Sequence, residues 1–162
     1  MGQNTGLVVR ERHSSAGNGV LLVVVNSAGR YWERTVVDET ILVALEHFGM
    51  PYRLLDLAEV RLSREVLDGC AAIVLAQNQL GACLTGPESR TIAAAVRRGV
   101  GLVNLDYDLR LYKAPLLEIF GFENINPHPY TTNSVRVRET DHYITGMQAP
   151  GEFHTFDRMV TA

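Results

Sequence analysis

A chain of 162 residues, 46% apolar and 20% charged, has room for one sizeable core and is too hydrophobic to remain disordered. Its net charge of −3, with no Lys/Arg cluster interleaved with aromatics, argues against nucleic acid as a partner. No apolar run reaches the roughly 18 residues that span a bilayer, and no apolar stretch precedes the first strand as a signal would, so no membrane and a cytoplasmic location are expected.

The polar, glycine-rich residues 1–18 read as a flexible N-terminal arm, and residues 19–162 as a single α/β domain. "VLLVVVN" (Val20–Asn26) is continuously apolar, the mark of a strand covered on both faces. "TVVDETILVALEHFG" follows as a helix: Val37, Ile41, Leu45 and Phe48 fall at helical spacing, Thr35 and Asp38 make a weak capping box, and Gly49 stands where a helix closes. "PYRLLDL" (Pro51–Leu57) is a second strand, "SREVLDG" a short helix with Ser63 as its cap, and "AAIVLAQ" (Ala71–Gln77) a third buried strand. "TGPESRTIAAAVRRG" is the clearest helix, with Thr85 and Glu88 at capping-box spacing, Pro87 in the first turn and Gly99 closing it. A buried fourth strand, "VGLVNL" (Val100–Leu105), and a helix around Lys113–Phe120 come next. "NSVRVRE" (Asn133–Glu139) alternates like an antiparallel or edge strand. The strand–helix alternation predicts a flavodoxin-like three-layer α/β/α sandwich with a mainly parallel sheet. The chain stops on "MVTA" without a closing helix, which leaves room for further domains or a homo-oligomer.

In such a sheet ligands bind beyond the carboxyl ends of the strands, so four tips matter. The first, "NSAGRYWER", carries Asn26, Arg30, Tyr31 and Trp32; "VNSAG" lacks the first glycine of a nucleophile elbow, and Arg30–Trp32 separate Ser27 from the helix, so Ser27 is disfavoured as a nucleophile. With Ser27 and Thr35 the only hydroxyls near this tip, flavin binding is an alternative but not the favoured one. The second tip is "DLAEVR". The third holds Gln77, Asn78, Gln79 and Cys83; Gln77 stands where a receiver domain has its phosphorylated Asp, and Cys83 has no base beside it in sequence. The fourth, "DYDLRLYK", holds Asp106 and Asp108. Five histidines complete the inventory of acid/base groups: His13, His47 on the first helix, His128, His142 and His154. No H-x-H or H-x-x-x-H spacing points to a metal, and Cys70 with Cys83 makes no disulfide framework. Neither a metal nor a cofactor is expected.

"LDGCAAIVLAQN", "LTGPESRTIAAAVRRGVGLVNLDYD" and, later, "APLLEIFGF" and "DHYITGMQAPGEFHTFD" together resemble the class I glutamine amidotransferase-like superfamily, in its ThuA-like (trehalose-utilisation) branch. His142, Ile144, Thr145 and Gly146 match that branch's "HPIT-x-G-L" element, with Tyr143 in place of Pro, and Asp157 matches its acidic residue. The resemblance spans about residues 20–160 and implies the fold above. It also implies the position of a cysteine elbow at "VNLDYD", where Asn104, Leu105 and Asp106 stand and no cysteine does. Glutamine hydrolysis by a thiolate is therefore excluded. What remains is a cysteine-less domain that binds a small polar, carbohydrate-like ligand through Asn26, Arg30, Trp32, Gln77, Asn78 and Asp108, or an accessory module in carbohydrate metabolism. The alternative is a hydrolase or isomerase with Asp106 as base or nucleophile and His128 or His142 as its partner.

Overall fold

The computed structural model describes residues 19–29, 36–122, 131–136, 147 and 149–161. The chain divides into two compact units, Met1–Ile125 and Asn126–Ala162. The first contains a four-stranded, all-parallel sheet of β1 (Val20–Val25), β2 (Tyr52–Asp56), β3 (Cys70–Leu75) and β4 (Gly101–Asn104), in the order β2-β1-β3-β4. That order, with helices between the strands, is consistent with a flavodoxin-like arrangement. The second contains an antiparallel pair, β5 (Thr131–Arg136) and β6 (Phe153–Thr161), where the alternation of "NSVRVRE" predicted a strand of that kind.

The sheet's layers follow from β1. Leu22 and Val24 point into one core with Leu55, Ile73, Leu75 and Ile92, while Val23 and Val25 point into the other with Val37, Leu42, Val74 and Ala76. Each of the Val, Leu and Ile side chains among these is worth about 1.5–3 kcal/mol on burial. The Val23 side is covered by helix α1, which begins as a π-helical segment, Val37–Ile41, and continues as α-helix, Leu42–His47. The Leu22 side is covered by a short α2 (Leu80–Cys83), by α3 (Gly86–Arg97) and by α4 (Ala114–Ile119), with 3₁₀ turns at Glu65–Leu67 and Leu109–Leu111. Among the described residues no helix is long and apolar enough to cross a membrane.

Three expectations need correction. Phe48 is not on the buried stripe of α1: it lies past the last turn, 71% exposed, with its ring edge-on to His47 at 5.2 Å, and Leu42 takes the core position instead. Ser63 does not cap the short helix; the cap position is Arg64, with no side-chain bond, and the Ser63 hydroxyl instead bonds Glu65, lowering that carboxyl's pKa. Strand β4 is not buried on both faces: Val103 and Leu105 are 46% and 49% exposed. They extend the face that carries Val74 and Ala76, which α1 covers over β1–β3, and in the described sheet β4 is an edge strand, as β2 is on the other side. The Thr35–Asp38 cap falls on Thr35, which lies outside the described residues.

Helix α3 starts as its sequence predicts. The Thr85 side chain accepts from the Glu88 amide at 3.3 Å, and the Glu88 carboxylate accepts from the Thr85 amide at 2.8 Å and hydroxyl at 2.7 Å. Glu88 also accepts from the Leu62 amide at 3.3 Å, tying the loop before the 3₁₀ turn to the helix. Gly99, with φ +103°, closes the helix: its amide bonds the Val96 carbonyl and that of Val100 bonds Ala95, a Schellman closure. Burial pushes the Glu88 carboxyl up, but the bonds from Thr85 and Leu62 and the nearby Arg61 outweigh it, and the net pKa is below the usual carboxylate range. Glu88→Gln should therefore cost about 1–2 kcal/mol at neutral pH. A carboxyl whose pKa is depressed on folding stabilises above its unfolded value and loses that contribution as pH falls through the folded one. In urea melts, the gap between wild type and Glu88→Gln should be full near pH 7 and should shrink below roughly pH 4.

Candidate functional site

The strand order reverses between β1 and β3, so their adjacent tips form the switch point at which wound sheets bind ligands. The β1 tip turns at Asn26: its Oδ1 accepts from the Ala28 amide at 3.0 Å and its carbonyl from the Gly29 amide at 3.0 Å. The Asn26 amide donates to Gln77 Oε1 at 2.7 Å, so the side chain of Gln77, 5% exposed, bridges the two tips. The Ser27 amide donates to Asp56 Oδ1 at 2.9 Å, which joins the β2 tip to the same turn.

At the β3 tip, residues 76–79 lead from the strand into α2. Gln79, with φ 58° and ψ 23°, is the one non-glycine residue of positive φ among the described residues and stands at the N-cap of α2. Cys83 ends α2, its Sγ 3.9 Å from the Gln79 carbonyl. Burial raises the Cys83 pKa and the Asp106 charge adds to the rise, against a bond from Asn26 that lowers it.

At the β4 tip both aspartates are committed. Asp106 is 4% exposed; its Oδ1 accepts from the Asp108 amide at 2.9 Å, and its Oδ2 from the Gly81 amide, in α2, at 3.4 Å. Asn104 braces the turn, donating to the Asp106 carbonyl at 2.9 Å and accepting from the Asp106 amide at 3.2 Å and the Tyr112 hydroxyl at 3.0 Å. Tyr112 is buried against Phe120; burial first, then the Asp106 charge, lifts its phenol far above the ordinary value. Asp108 is held by Arg110 in a two-pronged pair, at 2.8 and 3.0 Å. That pair depresses the carboxyl's pKa against the opposing effect of burial.

Beside the switch point lies a cleft of about 280 Å³. Gln77, Asn78 and Thr40 supply amides and a hydroxyl, and Val36, Ile41 and Leu105 apolar surface. Of the residues singled out in sequence, Asn26, Gln77 and Asn78 thus gather at the switch point and Asp106 and Asp108 at the neighbouring tip. Arg30, Tyr31, Trp32, His128 and His142 lie outside the described residues, as does the side chain of Asp157 in β6. Thr40, Val36 and Leu105 were not anticipated, since nothing local marks a helix start and a strand end as walls of one cleft. Among the described residues, no group of three or more His, Cys, Asp or Glu is placed to hold a metal. Comparison with protein-family models, curated proteins and solved structures finds no match for this chain.

Two outcomes test this geometry. Asp106→Ala leaves the Asp108 and Gly81 amides unpaired and should cost about 2–4 kcal/mol in chemical denaturation, against under 1 kcal/mol for an exposed aspartate. Cys83 should react with iodoacetamide more slowly at pH 7.5 than it does in the unfolded chain, by mass-spectrometric peptide mapping, because its thiol stays protonated.

Proposed function

We propose that this chain is a flavodoxin-like, cysteine-less amidotransferase-like domain of the ThuA-like kind, which binds a small, uncharged, hydroxyl-rich ligand in the cleft between the start of α1 and the β3 and β4 tips. The observation that carries the reading is the lining of the cleft. Two side-chain amides, one hydroxyl and an apolar wall line it, and none of the described lining residues is charged. Amides and hydroxyls pair with neutral hydroxyls, while Val36, Ile41 and Leu105 suit the C–H face of a sugar ring. An anionic ligand would meet no counter-charge among the described lining residues, which disfavours it. Its volume of about 280 Å³ lies just under the roughly 300–1,000 Å³ typical of ligand pockets, so a small ligand is expected.

Two further features favour binding over acyl transfer. The left-handed residue at the start of α2 is Gln79, which is no nucleophile, and the Gly81 amide near it is occupied by the Asp106 carboxylate. A carbohydrate-like ligand accords with the association of the ThuA-like branch with carbohydrate metabolism.

A thermal-shift panel of neutral monosaccharides and polyols, nucleotides and flavin tests the reading. One neutral sugar class should stabilise the chain, by about 2.7 kcal/mol at a hundredfold excess over Kd. Asn78→Ala and Leu105→Asp should abolish the shift while leaving the unliganded melting temperature within a few degrees. A flat response to every sugar, or uptake of flavin with its yellow colour, would sink the proposal.

A further inference from the structure

The outer face of α3 carries an unusual concentration of unpaired charge. Most arginines of the first unit's described surface are engaged. Arg61 lies 3.7 Å from Glu88, Arg97 3.0 Å from Glu118, and Arg110 2.8 Å from Asp108. Arg53 donates to the carbonyls of Val66 and Asp68. Arg64, Arg90 and Arg98 are different: among the described residues none makes an ion pair, and all three line one open groove of about 400 Å³ with Pro87, Thr91 and Ala94. Glu65, next to Arg64, is the closest acid in sequence; its carboxylate bonds Ser63 and feels the Arg64 charge, but it does not line the groove.

The arrangement follows from helix geometry. Arg90, Ala94 and Arg98 stand four residues apart and so share one face, the opposite of the face that buries Ile92, Ala93 and Ala95. Eight residues of helix separate the two arginines by about 12 Å, and Arg64 comes in from the 3₁₀ turn beside them. Three like charges around one groove, on a chain of net charge −3, repel each other unless an anion lies between them. Guanidinium forks match phosphoryl oxygens two at a time. None of the described residues lining the groove is an aromatic on which a base could stack, and its volume is that of a small-molecule site.

We propose that this groove binds a small molecule bearing two or more phosphoryl charges along its length, held by Arg64, Arg90 and Arg98. The site is separate from the neutral cleft and does not depend on the reading of that cleft.

The test is titration calorimetry and thermal shift of the full chain with inorganic pyrophosphate, against sodium chloride at matched ionic strength. Pyrophosphate should stabilise the chain beyond the salt control, with affinity falling as salt rises. Arg90→Gln and Arg98→Gln should each weaken binding about tenfold, and the double variant should abolish it. Arg97→Gln, on the same helix but paired with Glu118, should bind within about twofold of wild type. All these positions are exposed, so unchanged circular dichroism is expected; lysine replacements, which keep the charge, should retain part of the affinity. No stabilisation beyond the salt control overturns the proposal, as does wild-type binding by the double variant. Tighter binding of a polyglutamate peptide than of pyrophosphate also overturns it, in favour of an acidic protein partner.

Discussion

Strand β1 has no solvent face. From Leu22 to Val25 every residue is 1% exposed or less, so the chain must supply cover on both sides and a strand on each edge. A parallel sheet with helical crossovers is the arrangement that does this. It places β2 and β3 on either side of β1, α1 over Val23 and Val25, and α3 over Leu22 and Val24. Because all four strands run the same way, their carboxyl ends share one rim, and the reversal of winding between β1 and β3 opens the rim where Asn26 meets Gln77.

Polar groups at that rim are obliged to serve the backbone first. Gln77, Asp106 and Asp108 are among the few buried polar side chains, and each is bonded to a neighbouring tip, a helix amide or an arginine. An unpaired buried amide costs more than a satisfied one gains, so these side chains act as struts between elements far apart in sequence. The Asp-Tyr-Asp of the fourth tip is a case in point. Its aspartates face inward onto the Asp108 amide, the Gly81 amide and Arg110, while Tyr107 between them is 71% exposed. What the rim leaves open is the adjoining cleft, whose described lining residues are uncharged.

Charge is segregated accordingly. Helix α3 separates an inner face of small and branched apolar residues from an outer face of arginines, and its buried Glu88 holds the helix start to the Leu62 loop. The neutral cleft and the cationic groove therefore belong to different layers of the same unit, one above the strand tips and one on the outside of a helix.

The strands, the start and end of α3 and the helical crossovers were legible in the sequence, because each rests on residues within a few positions: a continuous apolar run, a Thr–Glu pair three apart, a glycine past the last turn. The tips were legible as places and not as chemistry. That Asp106 is buried, that Gln79 takes a left-handed turn, that β4 leaves Val103 and Leu105 open and that Phe48 turns to solvent all depend on what lies across the fold. The sequence by itself determined that β1 must be enclosed and hence that the sheet is parallel and wound. Only the tertiary structure decided which polar side chains at its rim are bound into the frame and which stay free. That choice is made by partners 25 or 51 residues away, as for Gly81 with Asp106 and Asn26 with Gln77, and local pattern carries no record of them.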